Sequence, residues 1–208
     1  MRPPAKAITP IMQPIPDELA GERVLVRPLR PGDGAAIWEA VDESREHLRP
    51  WMPWVEKHVT PEHSEDVARR AHGRWILRED LMVGIFDLAT GRYLGGSGLH
   101  RIEWDIPSFE IGYWIRVSEE GKGYVSEAVK LLCGLAFEHL FANRVFIKCD
   151  SNNTRSAAVP KRLGFVHEAT LRNAGKTPTG ELRDTMIFAM TPLDYQAAPW
   201  YKDEGGKP

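Results

Sequence analysis

The sequence predicts a single domain of the α+β, or mixed α/β, class. Its 208 residues are enough for one domain with a large hydrophobic core. Hydrophobic residues alternate with a period of two between residues 82 and 117, which indicates a β-meander. Segments with helical spacing precede and follow this meander, so the chain is not a simple series of βαβ units.

The first third of the chain predicts one strand and two helices. Residues 23–29 are rich in aliphatic and β-branched side chains, as strands are. Asp33 is predicted to cap a helix whose apolar residues recur three and four positions apart. Thr60 and Pro61 form the next start signal, a capping residue followed by proline at the first helical position. Between these helices lies an aromatic loop, residues 48–54.

The rest of the chain alternates between strands and helices. Strands are predicted at residues 82–87, 93–102, 109–117, 144–150 and 185–190, and helices at residues 124–140 and 153–163. The second of these helices is predicted to end at Gly164, which supplies the left-handed conformation common after a helix.

Composition and charge exclude several classes of protein. Lys and Arg number 27 against 29 Asp and Glu, which gives a formal net charge of −2. The chain therefore has no polybasic surface for nucleic acid or for an anionic membrane. Apolar runs reach only about seven residues, whereas a membrane span needs roughly 18.

Segment boundaries and cysteine use complete this outline. We divide the chain into a proline-rich arm (residues 1–20), one domain (residues 21–195) and a polar tail (residues 196–208). Cys133 and Cys149 match no metal-ligand or redox spacing, which predicts reduced thiols and a cytoplasmic protein. The seven histidines form no known metal motif, so no metal site is predicted.

A glycine-rich loop carries the first indication of chemistry. Gly121, Lys122 and Gly123 connect a predicted strand directly to a predicted helix. The free N–H groups and the dipole of a helix N-terminus attract anions, and glycine lets the backbone approach them closely. Lys122 adds a positive charge. The loop therefore suits a phosphate or pyrophosphate group, although neither a P-loop nor a dinucleotide fingerprint is present.

Several linked motifs carry a family resemblance. They occupy residues 109–114, 121–128, 144–150, 153–156 and 162–165. With these motifs in this order, the chain resembles the GNAT superfamily of acetyl-CoA-dependent N-acyltransferases, and within it the RimJ/RimL-type protein N-terminal acetyltransferases. The resemblance covers residues 23–193. It implies a twisted, mostly antiparallel central sheet that splays at the CoA site and is flanked by helices.

The resemblance implies a function and leaves alternatives open. The implied reaction moves an acetyl group from acetyl-CoA to a primary amine, by direct attack in a ternary complex. The expected acceptor is a protein or peptide N-terminus or a small amine, and the expected protein partner is a second copy of the chain in a homodimer. Transfer of succinyl or another acyl group, and a CoA-binding module without catalysis, remain alternatives. The second is consistent with Pro160, which stands where many members have a catalytic tyrosine, and with the absence of a glutamate in residues 173–176.

The resemblance also implies roles for individual residues. Ser156 is expected to donate a hydrogen bond to the leaving thiolate, and Glu110 is a candidate acceptor for the amine proton. Backbone N–H groups near Val117 are expected to stabilise the oxyanion. The predicted CoA-binding residues are Ile115, Arg116, Val117, Gly121, Lys122, Gly123, Tyr124, Val125, Ser126 and Asn153, and the predicted acceptor-binding residues are Trp51, Trp54 and Trp114. Structural roles compete with several of these: Asn153 and Ser156 suit a helix start, Glu110 an ion pair, and the tryptophans a hydrophobic cap.

Overall fold

An eight-stranded sheet is the centre of the structure, a computed structural model that describes residues 9–201. The strands are β1 (Leu19–Ala20), β2 (Val24–Pro28), β3 (Leu81–Asp87), β4 (Tyr93–Glu103), β5 (Ser108–Ile115), β6 (Arg144–Asp150), β7 (Val166–Lys176) and β8 (Leu182–Met190). The helices are α1 (Gly34–Leu48), α2 (Pro61–Leu77), α3 (Tyr124–Gly134), α4 (Thr154–Leu163) and α5 (Pro192–Ala197). Residues 1–8 of the predicted arm and 202–208 of the predicted tail lie outside the described part.

The order of the strands creates a gap in the sheet. The strands lie in the order β1-β2-β3-β4-β5-β6-β8-β7, and every neighbouring pair is antiparallel except β5 and β6. These two run parallel and pair only from Ser108–Glu110 to Arg144–Phe146, after which no pairing continues. This arrangement confirms the predicted mixed α/β fold with a splayed, mostly antiparallel sheet.

Helices cover both faces of this sheet. On one face, Val129 and Leu132 of α3 are fully buried in a cluster that includes Ile111 of β5. On the other face, α1 and α2 bury Val41 and Ala68 in a second cluster. No helix within residues 9–201 is long and apolar enough to cross a bilayer.

The predicted helix starts differ in how they are made. Thr60 caps α2 as predicted, since its side chain accepts the backbone N–H of His63. Asp33 occupies the N-cap position of α1 as predicted, but its side chain makes no capping hydrogen bond. Its carboxylate instead pairs with Arg27 at 2.8 Å and accepts the N–H of Arg30, so no side-chain cap forms.

Two elements near the carboxyl end are absent from the sequence predictions. Strand β7 forms the edge of the sheet beside β8, and α5 follows β8 directly. Beyond α5, the Trp200 indole N–H donates to the Leu163 carbonyl at 2.9 Å. Part of the predicted polar tail therefore packs against α4.

Candidate active site

A cleft of about 850 Å³ opens where β5 and β6 separate. Four segments line it: the end of α1 with the following loop, the last residues of β5, the loop before α3 with its first turn, and α4 with the two residues before it. The main lining residues are His47, Leu48, Trp51, Met52, Tyr113, Trp114, Ile115, Glu120, Gly121, Gly123, Tyr124, Val125, Ser126, Asn153, Arg155, Ser156 and Arg162.

The glycine-rich loop has the predicted anion-binding form. Gly121 and Gly123 adopt φ values of +73° and +87°, a region that favours glycine. Gly123 is the N-cap of α3. Within the described residues, the backbone N–H groups of Tyr124, Val125 and Ser126 have no hydrogen-bond partner. Three free N–H groups therefore meet the positive end of the α3 dipole at the cleft.

Arg23, which directly precedes β2, holds this loop in place. The Arg23 guanidinium donates to the Lys122 carbonyl at 2.9 Å and lies 5.1 Å from the centre of the Tyr124 ring. Glu127, in the first turn of α3, accepts the N–H groups of Arg23 at 2.7 Å and Val24 at 3.2 Å. The loop is thus tied to the sheet by contacts on the side away from the cleft.

The charged residues of the loop are already paired. Lys122, predicted to face the phosphate, binds Glu119 at 2.8 Å and is not part of the cleft lining. Glu120, which precedes the loop, is paired as well. Its carboxylate lies in the cleft and bridges His47 of α1 and Arg155 of α4, each at 2.6 Å.

The first turn of α4 carries Ser156 into the cleft. Asn153 caps this helix, since its side-chain oxygen accepts the Ser156 N–H at 3.0 Å, as one alternative predicted. The Tyr113 hydroxyl donates to the Ser156 carbonyl at 2.8 Å, and the Ser156 hydroxyl donates to Tyr113 at 3.3 Å. Ser156 and Asn153 both line the cleft, and the predicted CoA contact of Asn153 stays a prediction.

Two of the three predicted tryptophans line the cleft. Trp51 and Trp114 belong to its wall, whereas Trp54 packs against Trp114 at 5.6 Å between ring centres and is not among the lining residues. Arg183 of β8 lies 5.1 Å from the Trp51 ring centre and pairs with Asp150 at 2.9 Å. This contact holds the aromatic loop over the end of β6.

Arg116 and Val117 lie outside the cleft, contrary to the prediction that they bind CoA. Arg116 is 1% exposed, and its guanidinium binds the Tyr93 carbonyl at 2.7 Å and Glu43 at 2.6 Å. The Val117 N–H donates to the Ser44 hydroxyl at 3.0 Å. It is therefore already used and is not a free donor for an oxyanion.

Glu110 is not brought to the cleft either. It stands on β5 before the strands separate, and its carboxylate lies 3.1 Å from Arg101 and 3.4 Å from Lys148. This placement favours the structural alternative, an ion pair, over a role as base. Residues 9–201 contain no cluster of three or more His, Cys, Asp or Glu arranged for a metal ion.

A profile of the acetyltransferase (GNAT) domain matches residues 23–166, more than two thirds of the chain. The chain belongs to the GNAT acetyltransferase family. It is therefore an N-acetyltransferase with the GNAT fold, as the sequence motifs predicted.

Named relatives agree with this membership. YdaF of Bacillus subtilis strain 168, whose name provisionally assigns it to the ribosomal N-acetyltransferases, is 28% identical over 84% of this chain and 94% of YdaF. The ribosomal-protein-serine acetyltransferase of Escherichia coli K12 is 31% identical over 53% of this chain and 62% of its own. A structure of RimL, a ribosomal L7/L12 α-N-protein acetyltransferase in complex with coenzyme A, has a TM-score of 0.77 at 21% identity. The match covers 85% of this chain and 97% of RimL.

Sequence reasoning missed several residues that line the GNAT cleft. Tyr113 is one residue of an alternating strand, and Arg162 belongs to a helix end, so neither pattern marks its residue as part of a site. His47 and Arg155 also line the cleft and belong to no motif of the sequence analysis that predicts a site role. For Arg155 a signal existed, because it directly precedes Ser156 at a helix start. His47 had none, since its approach to Glu120 depends on how α1 packs.

Burial controls the protonation of two groups beside Ser156. It raises the pKa of Tyr113 well above the ordinary value, so the phenol stays neutral at physiological pH. Burial likewise raises the pKa of the Cys149 thiol to about 11.

Proposed function

We propose that this GNAT enzyme transfers an acetyl group from acetyl-CoA to a primary amine, by direct attack within a ternary complex. The observation that carries the proposal is one cleft in which free N–H groups of α3, the unpaired side of β5 and the Ser156 hydroxyl meet. The preferred acceptor is the N-terminal α-amine of a protein or peptide.

The anion-binding end of the cleft suits the pyrophosphate of CoA. The N–H groups of residues 124–126 point outward from a helix whose dipole favours negative charge. Arg162 also lines the cleft and has no ion pair within residues 9–201. Arg155 can add a second charge if it exchanges Glu120 for a phosphate, because 73% of its side chain is exposed.

The unpaired side of β5 suits the extended arm of CoA and its thioester. The Arg116 N–H donates to the Leu94 carbonyl at 2.8 Å, toward β4. Because N–H directions alternate along a strand, the Ile115 N–H points to the gap beside β6. Ile115 lines the cleft, and we assign it as the donor that stabilises the oxyanion, in place of Val117.

The reaction needs only a few groups from the protein. The neutral amine attacks the thioester carbonyl, the new C–N bond forms, the C–S bond breaks, and the nitrogen loses a proton. Holding both substrates in one cleft supplies much of the rate through proximity. The Ser156 hydroxyl donates a hydrogen bond to the departing sulfur, which makes the thiolate a better leaving group.

The choice of acceptor has two supports. The relatives are named for ribosomal proteins, and RimL for the α-nitrogen of one of them. In addition, Glu110 is held in ion pairs outside the cleft, so it is poorly placed to deprotonate an acceptor. An α-amine has a pKa of about 7.7–8.0, so about a fifth of it is already neutral at pH 7.2 without help from a base.

Comparison of acyl donors tests the proposal against its alternatives. The purified protein is mixed with a free-N-terminus peptide and either acetyl-CoA or succinyl-CoA, and release of free CoA is followed. We expect acceptor-dependent release that is faster with acetyl-CoA. Faster release with succinyl-CoA would show that succinyl-CoA, and not acetyl-CoA, is the preferred acyl donor. CoA binding without release from any donor would favour a non-catalytic module.

A further inference from the structure

Tyr113 makes a bridge across the gap in the sheet. Its ring packs against the core on the α3 face of the sheet, and its hydroxyl reaches the first turn of α4. The hydroxyl donates to the Ser156 carbonyl at 2.8 Å and accepts from the Ser156 hydroxyl at 3.3 Å. The strands themselves no longer pair at this level, so the phenol links β5 to α4 where the sheet does not.

These contacts fix Ser156 from two elements. Asn153, the N-cap residue of α4, accepts the Ser156 N–H at 3.0 Å, while Tyr113 of β5 donates to the Ser156 carbonyl. The backbone of Ser156 therefore has both hydrogen-bonding groups engaged. The contact of the serine hydroxyl is longer, 3.3 Å, which makes it the weakest of the three. The side chain can exchange it for another acceptor while the backbone stays in place.

We propose that Tyr113 is a positioning residue that aims the Ser156 hydroxyl at the thioester sulfur. This inference rests on the proposed function, in which Ser156 assists departure of the thiolate. In the resting cleft, the phenol oxygen accepts the serine O–H. When the sulfur gains negative charge, the serine O–H turns to it, and the bond from Tyr113 to the Ser156 carbonyl keeps the backbone from following.

Tyr113 acts through Ser156 and does not itself supply a proton. A thiol has an ordinary pKa of about 8.5, and burial raises the pKa of Tyr113 well above that. Transfer of a proton from the phenol to the thiolate would leave a buried phenolate and is unfavourable. The attacking nitrogen loses one proton and the departing sulfur takes one, so the reaction balances without a proton from Tyr113.

A double-mutant cycle tests this assignment. Tyr113→Phe removes only the hydroxyl, Ser156→Ala removes the hydroxyl that it positions, and the third variant combines both changes. We expect Tyr113→Phe to lower the single-turnover rate with acetyl-CoA and a peptide acceptor at least about 10-fold, as a small misplacement does. CoA affinity by calorimetry should stay within about twofold. Because the two residues act as one unit, the double variant should be no slower than Ser156→Ala alone.

Tyr195→Phe is the matched control for this cycle. Tyr195 is 7% exposed, and its hydroxyl donates to Glu138, away from the cleft. Its variant should keep the wild-type rate, and its melting temperature calibrates the loss of one buried hydroxyl. The melting temperature of Tyr113→Phe then shows whether that variant is folded.

Each result of the cycle supports or contradicts the positioning role of Tyr113. A wild-type rate for Tyr113→Phe, beside a slow Ser156→Ala, would overturn the positioning role and leave the proposed function intact. Additive losses in the double variant would also overturn it, because Tyr113 would then act independently of Ser156. A wild-type rate for Ser156→Ala would instead contradict the role of Ser156 in the proposed function, and with it this inference.

Discussion

Gly123 shows how one residue determines the shape of the anion site. At φ +87° it can start α3 while leaving the next N–H groups free, and a Cβ there would lie 3.2 Å from the Arg23 guanidinium. Gly123→Val should therefore remove measurable CoA binding in calorimetry and lower the free energy of unfolding by about 1–2 kcal/mol.

Gly73→Val is the matched control for that change. Gly73 lies in α2, and a Cβ at this position would meet no atom within 4 Å. Its variant should bind CoA with wild-type affinity. Unchanged affinity in Gly123→Val would contradict the assignment of the loop as the phosphate site.

Ser156 carries the second prediction at the scale of a residue. Its hydroxyl faces the cleft and donates to the Tyr113 hydroxyl at 3.3 Å. Ser156→Ala should lower kcat about 10- to 1,000-fold while CoA affinity changes little. The measurement is single-turnover kinetics beside calorimetry. A wild-type rate when chemistry limits turnover would leave Ser156 with a structural role alone.

Residue roles were predictable where a local motif determines them. The glycine positions and the Asn153 cap depend on neighbours in sequence, and the structure shows both. Arg116 was misassigned because its partners come from α1 and β4, more than 20 positions away. Likewise, Glu110 meets Lys148 only through the parallel pairing of β5 and β6. Long-range pairing of this kind has no signature in a single sequence.

At the scale of elements, a buried arginine ties β5 to α1. Arg116 follows β5, is 1% exposed, and binds Glu43 at 2.6 Å and the more exposed Glu39 at 3.0 Å. Glu43→Gln leaves the buried guanidinium without its nearer carboxylate. We expect the free energy of unfolding to fall by about 3 kcal/mol, near the lower end for breaking a buried pair, because Glu39 remains.

An exposed ion pair on the same helix provides the control. Glu46 binds Arg49 at 2.7 Å, with 81% of the glutamate side chain exposed. Glu46→Gln should change the free energy of unfolding by no more than about 1 kcal/mol in the same urea titration. If Glu43→Gln and Glu46→Gln lower the free energy of unfolding equally, burial of Arg116 does not strengthen its ion pair with Glu43.

The entry into α1 should depend on pH. Burial acts to raise the pKa of Asp33, but hydrogen bonds from Arg27 and Arg30 outweigh it and hold the pKa below its ordinary value. The contribution to stability is therefore present above about pH 4 and lost as pH falls through the folded-state pKa. Melting temperatures should separate wild type from Asp33→Asn at pH 7, and the difference should shrink as the pH falls through the lowered folded-state pKa of Asp33. A separation that grows toward acid would contradict this sign.

Elements were predictable where one face is buried. The periodicity of β5 and α3 reflects their burial against the core. Strand β7 lacks such a pattern because nearly all of its residues are exposed at the sheet edge. For α5 a signal existed in Thr191, Pro192 and Asp194, which form a capping box with proline at the start of the helix.

At the scale of the whole molecule, the cleft results from the separation of β5 and β6. Its lining runs from His47 at the end of α1 to Arg162 in α4, and these segments meet because β5 and β6 pair over only three residues. The family resemblance implied that the sheet splays at this point, whereas the periodicity of the strands alone does not predict where two strands separate. The bridge of Glu120 between α1 and α4 follows from the same assembly.

One comparison of acceptors tests the central claim most directly. One peptide carries a free N-terminus, and its partner has the same sequence, N-blocked but bearing one lysine. Each is incubated with the protein and acetyl-CoA at pH 7.2, and tandem mass spectrometry measures the rate and the position of acetylation. A lysine with a pKa near 10.4 is neutral less than about 0.1% of the time at this pH. Its neutral, reactive fraction is therefore about 300-fold smaller than that of an α-amine. We predict faster acetylation on the α-nitrogen; faster acetylation of the blocked lysine peptide would contradict the account.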